Sequence, residues 1–268
     1  MLTGPAILFC PADRPERFQK ALDRADMVVI DMEDAVAPAG KATARQAMIS
    51  HPVDPKRTFV RINGVNTSWF EDDLKALAAT DYDKVMLPKA ETRADVERLL
   101  AFSVVAICES PRGVYNAGEI ASAPNTIGLT AGVEDLIAAL GGFSTQWPDK
   151  RYRDVPRYAR SSVMIAAQAF GKLSIDTVYL DIDYLDGQRR EAVDAAACGF
   201  AASLCIHPSQ VPVIRQAYRP ADVEVEWATA VLAEARAHPG VFNFRGKMID
   251  SPVLRQAGSI IARSGART

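Results

Sequence analysis

The feature that most constrains this chain is a repeat of short apolar runs, each closed by a turn signal. They are AILFC (6–10), MVVIDME (27–33), TFVRIN (58–63), KVMLPK (84–89), VVAICES (104–110), NTIGLT (125–130), DTVYLDI (176–182) and AASLCIHP (201–208). Runs of this length, continuously apolar and rich in β-branched residues, predict parallel strands covered on both faces. Between them lie stretches of helical periodicity such as PERFQKALDRA, SWFEDDLKALAAT, VPRYARSSVMIAAQAFG and QRREAVDAAACGF. Eight strand–helix alternations predict an α/β fold, a (β/α)8 TIM barrel, over a doubly wound open sheet as the competitor. We place the barrel at 1–219 and a C-terminal helical extension or lid at 220–268, with PGVFNFRGKMIDSP read as a linker between its helices.

Composition narrows the class of function. A chain with 24% charged residues and a formal net charge of −2 carries no electrostatic footprint for nucleic acid or anionic membrane. The N-terminal stretch lacks a basic start, and its apolar run is too short for a signal or a membrane span, so a cytoplasmic enzyme is the expectation. Four cysteines (Cys10, Cys108, Cys198, Cys205) show no CxxC spacing, and three fall in strand-like runs where a thiol packs as a small hydrophobe.

In barrels the active site is built at the C-terminal ends of the strands. Here those ends carry Asp31, Glu33 and Asp34, then Arg61 and Asn63, Lys89, Glu109, Thr130 to Asp135, Asp181 and Asp183, and His207. A single acid in such a place is often a helix cap, and Asp34 or Asp135 could serve that way. A ring of carboxylates is different, because converging like charges repel unless a cation sits among them. Oxygen donors with one nearby His and no Cys select a hard ion, Mg2+ first and Mn2+ second. His207 reads as a structural group, and Lys89 as a poor Schiff-base candidate, since neighbouring acids raise a lysine pKa where that chemistry needs it lowered.

The stretches LFCPADRPERFQKAL, VVIDMEDAV, FVRIN, VMLPKAE, AICESPRGV, GLTAGVEDL, CIHPSQV and GKMIDSPVLRQA together resemble the HpcH/HpaI aldolase and citrate lyase β-subunit family, specifically its stand-alone β-subunit-like members. The resemblance implies a Mg2+-dependent barrel acting on a carbon–carbon bond between a 2-oxo acid and the acetyl group of a CoA thioester. It implies Glu109 and Asp135 as metal ligands and Arg61 as the group binding substrate oxygens. The backbone from Gly132 through Val133 and Glu134 to Asp135 resembles the cradle for the 2-oxo acid carboxylate, with Glu33 and Asp34 orienting metal waters and Arg61. Asp250 resembles an acid/base residue that CoA-dependent relatives supply from a C-terminal segment, in several cases to a neighbouring subunit of a homotrimer. IDMEDAV lacks the His that aldolases on free 2-oxo acids carry, which favours the CoA-thioester branch. Two other outcomes of the same resemblance are a malate synthase-like condensation with thioester hydrolysis and a partner-dependent citrate lyase β subunit.

Overall fold

The computed structural model describes residues 2–238 and 240–265. Eight parallel strands close into a barrel: β1 Ala6–Pro11, β2 Met27–Asp31, β3 Thr58–Arg61, β4 Lys84–Leu87, β5 Ser103–Cys108, β6 Thr126–Ala131, β7 Leu173–Asp176 and β8 Ala202–Cys205. Each pairs with the next and β8 returns to β1, where Ile7 lies beside Leu204. Closure removes every sheet edge, so each strand is paired on both sides.

The apolar runs serve two faces. Ile7, Met27, Val29, Phe59, Met86, Val105, Ile107, Ile175, Ala202 and Leu204 fill the barrel interior as one packed cluster. Alternate residues such as Val28, Ile30 and Val104 are equally buried, and by the two-residue period of a strand they face the helices instead. That double burial is why the strands read as unbroken apolar runs. The helices between them are begun by local chemistry: Thr92 and Asp95 form a reciprocal capping box, and Ser110 caps the turn that opens with Pro111.

Two expectations are corrected. The seventh strand is LSID (173–176), which shares only Asp176 with the expected DTVYLDI (176–182): Leu173 pairs with Gly128 and Ile175 with Ala202. TVYLDI has the composition of a strand, but the register that closes the barrel selects the residues before it. The chain after Asp176 becomes a loop in which Tyr179 is buried while Leu180 and Ile182 are exposed. Asp181 and Asp183 therefore lie beyond the strand, and Asp181 pairs with Lys150 at 3.0 Å.

By their contacts the residues form two compact units, Met1–Ile214 and Arg215–Thr268. The second holds the helices Asp222–Ala235 and Ser251–Ser264 around a small core of Ala228, Val231, Ile249, Ala257 and Ile261. The stretch read as a linker is in part a hairpin, β9 Phe242–Phe244 with β10 Lys247–Ile249. Arg245 and Gly246 both take positive φ, 50° and 81°, which gives a two-residue turn the twist that flanking strands require. No helix among the described residues is long and apolar enough to cross a membrane.

Candidate active site

The register of β2 and β3 sets Asp31 beside Arg61 at the mouth of the barrel. The consequence is a bidentate pair: Arg61 Nε and Nη2 each donate to Asp31 carboxylate oxygens at 2.7 Å. The guanidinium lies over the Phe9 ring at 4.8 Å, and its third nitrogen, Nη1, stands 3.1 Å from Glu33 Oε2. Burial works against the cation, but the hydrogen bonds and charge of Asp31, with Glu33 and Glu109 behind, outweigh it and keep Arg61 firmly protonated. Asp31 also accepts from the Glu33 amide, so one carboxylate shapes the loop after β2 and aims Arg61.

Glu33 is held from the other side. Lys89 Nζ donates to Glu33 Oε1 at 2.5 Å, and the Lys41 ammonium donates to the carbonyls of Met32 and Glu33, both at 2.7 Å. Burial raises the Glu33 carboxyl despite Arg61 and Lys89. Below this loop, Asn63 Nδ2 donates to Asp73 and to the Met32 carbonyl, and Arg45 closes the network onto Asp73 at 2.9 Å.

Glu109 follows β5 directly and is 4% exposed. Its Oε1 accepts the Lys89 amide at 2.8 Å. Burial, with the charge of Asp135 added, pushes its carboxyl up to about 8, against the pull of the Lys89 ammonium. Gly132 is the residue this carboxylate demands. A Cβ there would stand 2.4 Å from Glu109 Oε2.

The helix Val133–Ala139 starts on Gly132, with Asp135 as its third residue, so Asp135 is not the cap. Its carboxylate instead stands 3.6 Å from Lys89 Nζ. The Gly132 amide donates to the Cys108 carbonyl, which leaves the first-turn amides of Val133, Glu134 and Asp135, groups that have no acceptor within a helix. The Glu134 side chain turns away to take a hydrogen bond from Thr145. Asp34 is largely exposed, 3.7 Å from Lys89 Nζ, and the helical turn that follows has Ala37 at its cap position instead.

Five carboxylates (Asp31, Glu33, Asp34, Glu109, Asp135) thus gather around Arg61 and Lys89. Three of them, Asp31, Glu109 and Asp135, edge with Arg61 a cavity of about 290 Å3 whose apolar walls include Phe9, Ile107, Val133, Val178, Leu204 and Ile206. Among the described residues no three His, Cys, Asp or Glu side chains form a cage for an ion. A hard divalent ion nonetheless fits. Glu109 and Asp135 bring oxygen donors to one cationic point, as the ammonium between them shows, and Mg2+ typically takes one or two carboxylates and leaves its other positions to water and substrate.

Asp250 lies in the second unit, where it caps the helix Ser251–Ser264 by accepting from the Val253 amide at 3.3 Å. His207 is held locally, its Nδ1 2.7 Å from Ser209 Oγ. Cys10, Cys108 and Cys205 are buried, and burial raises the Cys10 thiol to about 11. Lys89 and Asp31 were visible as strand-end residues, but their part in the site was missed. The sign that could have found Asp31 is an acid and an arginine ending neighbouring strands at one level.

An eight-stranded parallel barrel whose mouth carries a carboxylate pair beside an anchored arginine defines a class of enzyme. Residues 6–208 match the model of the HpcH/HpaI aldolase/citrate lyase family, and the chain belongs to that family. It is 52% identical over 265 residues to a citrate lyase subunit beta-like protein of Mycobacterium tuberculosis (strain ATCC 25618 / H37Rv), covering 99% of this chain and 97% of the relative. It is 30% identical over 290 residues to the mitochondrial citramalyl-CoA lyase of Mus musculus, covering 96% and 84%. The crystal structure of CitE from Mycobacterium tuberculosis in complex with magnesium, acetoacetate and coenzyme A superposes with a TM-score of 0.96, at 52% identity over 98% of both chains.

Proposed function

We propose that this protein is a Mg2+-dependent carbon–carbon lyase that cleaves a 3-hydroxyacyl-CoA thioester to acetyl-CoA and a 2-oxo or related keto acid. The observation that carries the reading is the convergence of Glu109 and Asp135 at a mouth where Arg61 is anchored by Asp31 and Glu33. It agrees with the magnesium, keto acid and coenzyme A bound by the structural relative.

Glu109 and Asp135 would hold the ion, whose chemistry is that of a Lewis acid toward the substrate's hydroxyl and carboxyl oxygens. Arg61 supplies a fixed positive charge where the alkoxide and then the new carbonyl oxygen carry negative charge. Its two bonds to Asp31 fix that charge in advance, so little reorganisation accompanies reaction. The first-turn amides of Val133, Glu134 and Asp135 offer donors to the keto-acid carboxylate. The apolar walls keep water from the carbon that leaves. Asp250 gives a proton to the acetyl-CoA enolate in cleavage and removes it in condensation. We place Asp250 on a lid that completes a neighbouring subunit's site within a cytoplasmic homotrimer.

The test is a panel of citramalyl-, malyl-, hydroxymethylglutaryl- and citryl-CoA with the purified chain, with and without Mg2+. Cleavage of at least one thioester, abolished by chelation and restored by Mg2+, is expected. Release of free CoA from acetyl-CoA and glyoxylate would mark a hydrolysing synthase. Inactivity on every free thioester, with activity on an acyl-carrier protein, would mark a partner-dependent subunit.

A further inference from the structure

Lys89 stands at the centre of the carboxylate cluster, and nothing in the proposed chemistry uses it. Its ammonium is 2.5 Å from Glu33, 3.7 Å from Asp34, 3.9 Å from Glu109 and 3.6 Å from Asp135. Its backbone takes φ of +52°, a conformation that side-chain-bearing residues rarely adopt outside special sites. That geometry lets one residue grip the site twice. The amide donates to Glu109, and the side chain reaches Glu33, which in turn faces Arg61.

Arg61 cannot take over the same duty. Two of its nitrogens are committed to Asp31 and the third faces Glu33. Glu109 and Asp135 therefore have the Lys89 ammonium as the cation within 4 Å of both. Two acids so close repel each other, and a positive charge beside both lessens that repulsion. A divalent ion held by the same two carboxylates would meet a like charge in Lys89.

We infer that Lys89 is the resident counter-ion of the Glu109 and Asp135 pair, a positioning residue that keeps the site assembled without metal and sets how tightly the divalent ion is held. The inference rests on the proposed metal at those two carboxylates. It predicts an unusual sign: removing the ammonium loosens the metal-free protein yet tightens the metal. A residue that only propped up the site would do the opposite, because losing it would disperse the ligands.

The experiment is calorimetric titration of Mg2+ into the full chain and into Lys89→Gln and Lys89→Arg, with the melting temperature of each read with and without Mg2+. Lys89→Gln should bind Mg2+ more tightly, on the order of ten-fold for one unit charge removed at such distances from a partly solvated site. It should also melt lower without metal and gain more from Mg2+ than the parent. Lys89→Arg, which keeps the charge, should stay near the parent affinity. Lys89→Asn, neutral and tolerant of positive φ, gives the same reading if the Gln variant fails to fold. Unchanged or weaker Mg2+ binding in the neutral variants overturns the inference while leaving the metal in place. A parent chain that takes up no Mg2+ overturns both.

Discussion

At the scale of single residues, the site depends on groups that cannot be exchanged for near relatives. Arg61→Lys keeps a positive charge but loses the planar fork that meets both Asp31 oxygens, so kcat/KM should fall by about 100-fold or more in a cleavage assay, with little change in Mg2+ affinity. Gly132→Ala introduces a Cβ into the Glu109 carboxylate and should abolish Mg2+ uptake in the same titration, at a folding cost of about 1–3 kcal/mol for overpacking. The metal-free carboxyl of Glu109, at about 8, also gives a pH dependence. A carboxyl raised on folding contributes stability present below its unfolded pKa and lost as pH rises through its folded one. The metal-free protein should therefore lose that contribution between about pH 4.5 and about pH 8, while Mg2+ binds the ionised form. The rise in melting temperature produced by Mg2+ should grow across that window; a rise independent of pH would contradict the assignment of Glu109.

At the scale of elements, the barrel strands carry tethers as well as ligands. Asp176 at the end of β7 is buried against Arg160 of the helix Asp154–Ala169, at 2.6 Å, and Arg160 also reaches Asp194 of the helix Leu185–Cys198. Arg160→Ala should cost about 3–5 kcal/mol in denaturant unfolding, because it leaves the Asp176 charge buried without its partner. This tether shows where sequence pattern reached its limit. Eight apolar runs with helical spacers were enough to count the strands, since double burial imprints itself on local composition. The position of β7 was not legible, because DTVYLDI and LSID both suit a strand and only pairing to β6 and β8 chooses between them. The hairpin at 242–249 escaped for a related reason: Arg245 carries no signature of the positive φ that its turn requires.

At the scale of the whole molecule, the barrel unit contains the cavity, Arg61, Glu109 and Asp135, while Asp250 belongs to the second unit. Asp250→Asn separates chemistry from folding, since Asn caps a helix about as well as Asp. The variant should keep its melting temperature and its Mg2+ affinity and lose cleavage by at least about 100-fold, the lower range for general acid–base catalysis. Near-normal turnover would reduce Asp250 to the capping role it fills in the helix Ser251–Ser264.

The sequence by itself determined the strand count, the parallel barrel and the gathering of acids at strand ends, because each is written in a local run of residues. It also placed Glu109, Asp135 and Arg61 as candidates, since the C-terminal ends of barrel strands share one mouth. Only the tertiary structure decided that Asp31 anchors Arg61, that Lys89 joins Glu33 to Glu109, and that Glu134 turns aside to Thr145. The first two relations link residues at the ends of different strands, and their distances follow from barrel closure and register, which no single stretch of the chain encodes; the third is set by how the loop after the helix Val133–Ala139 folds back.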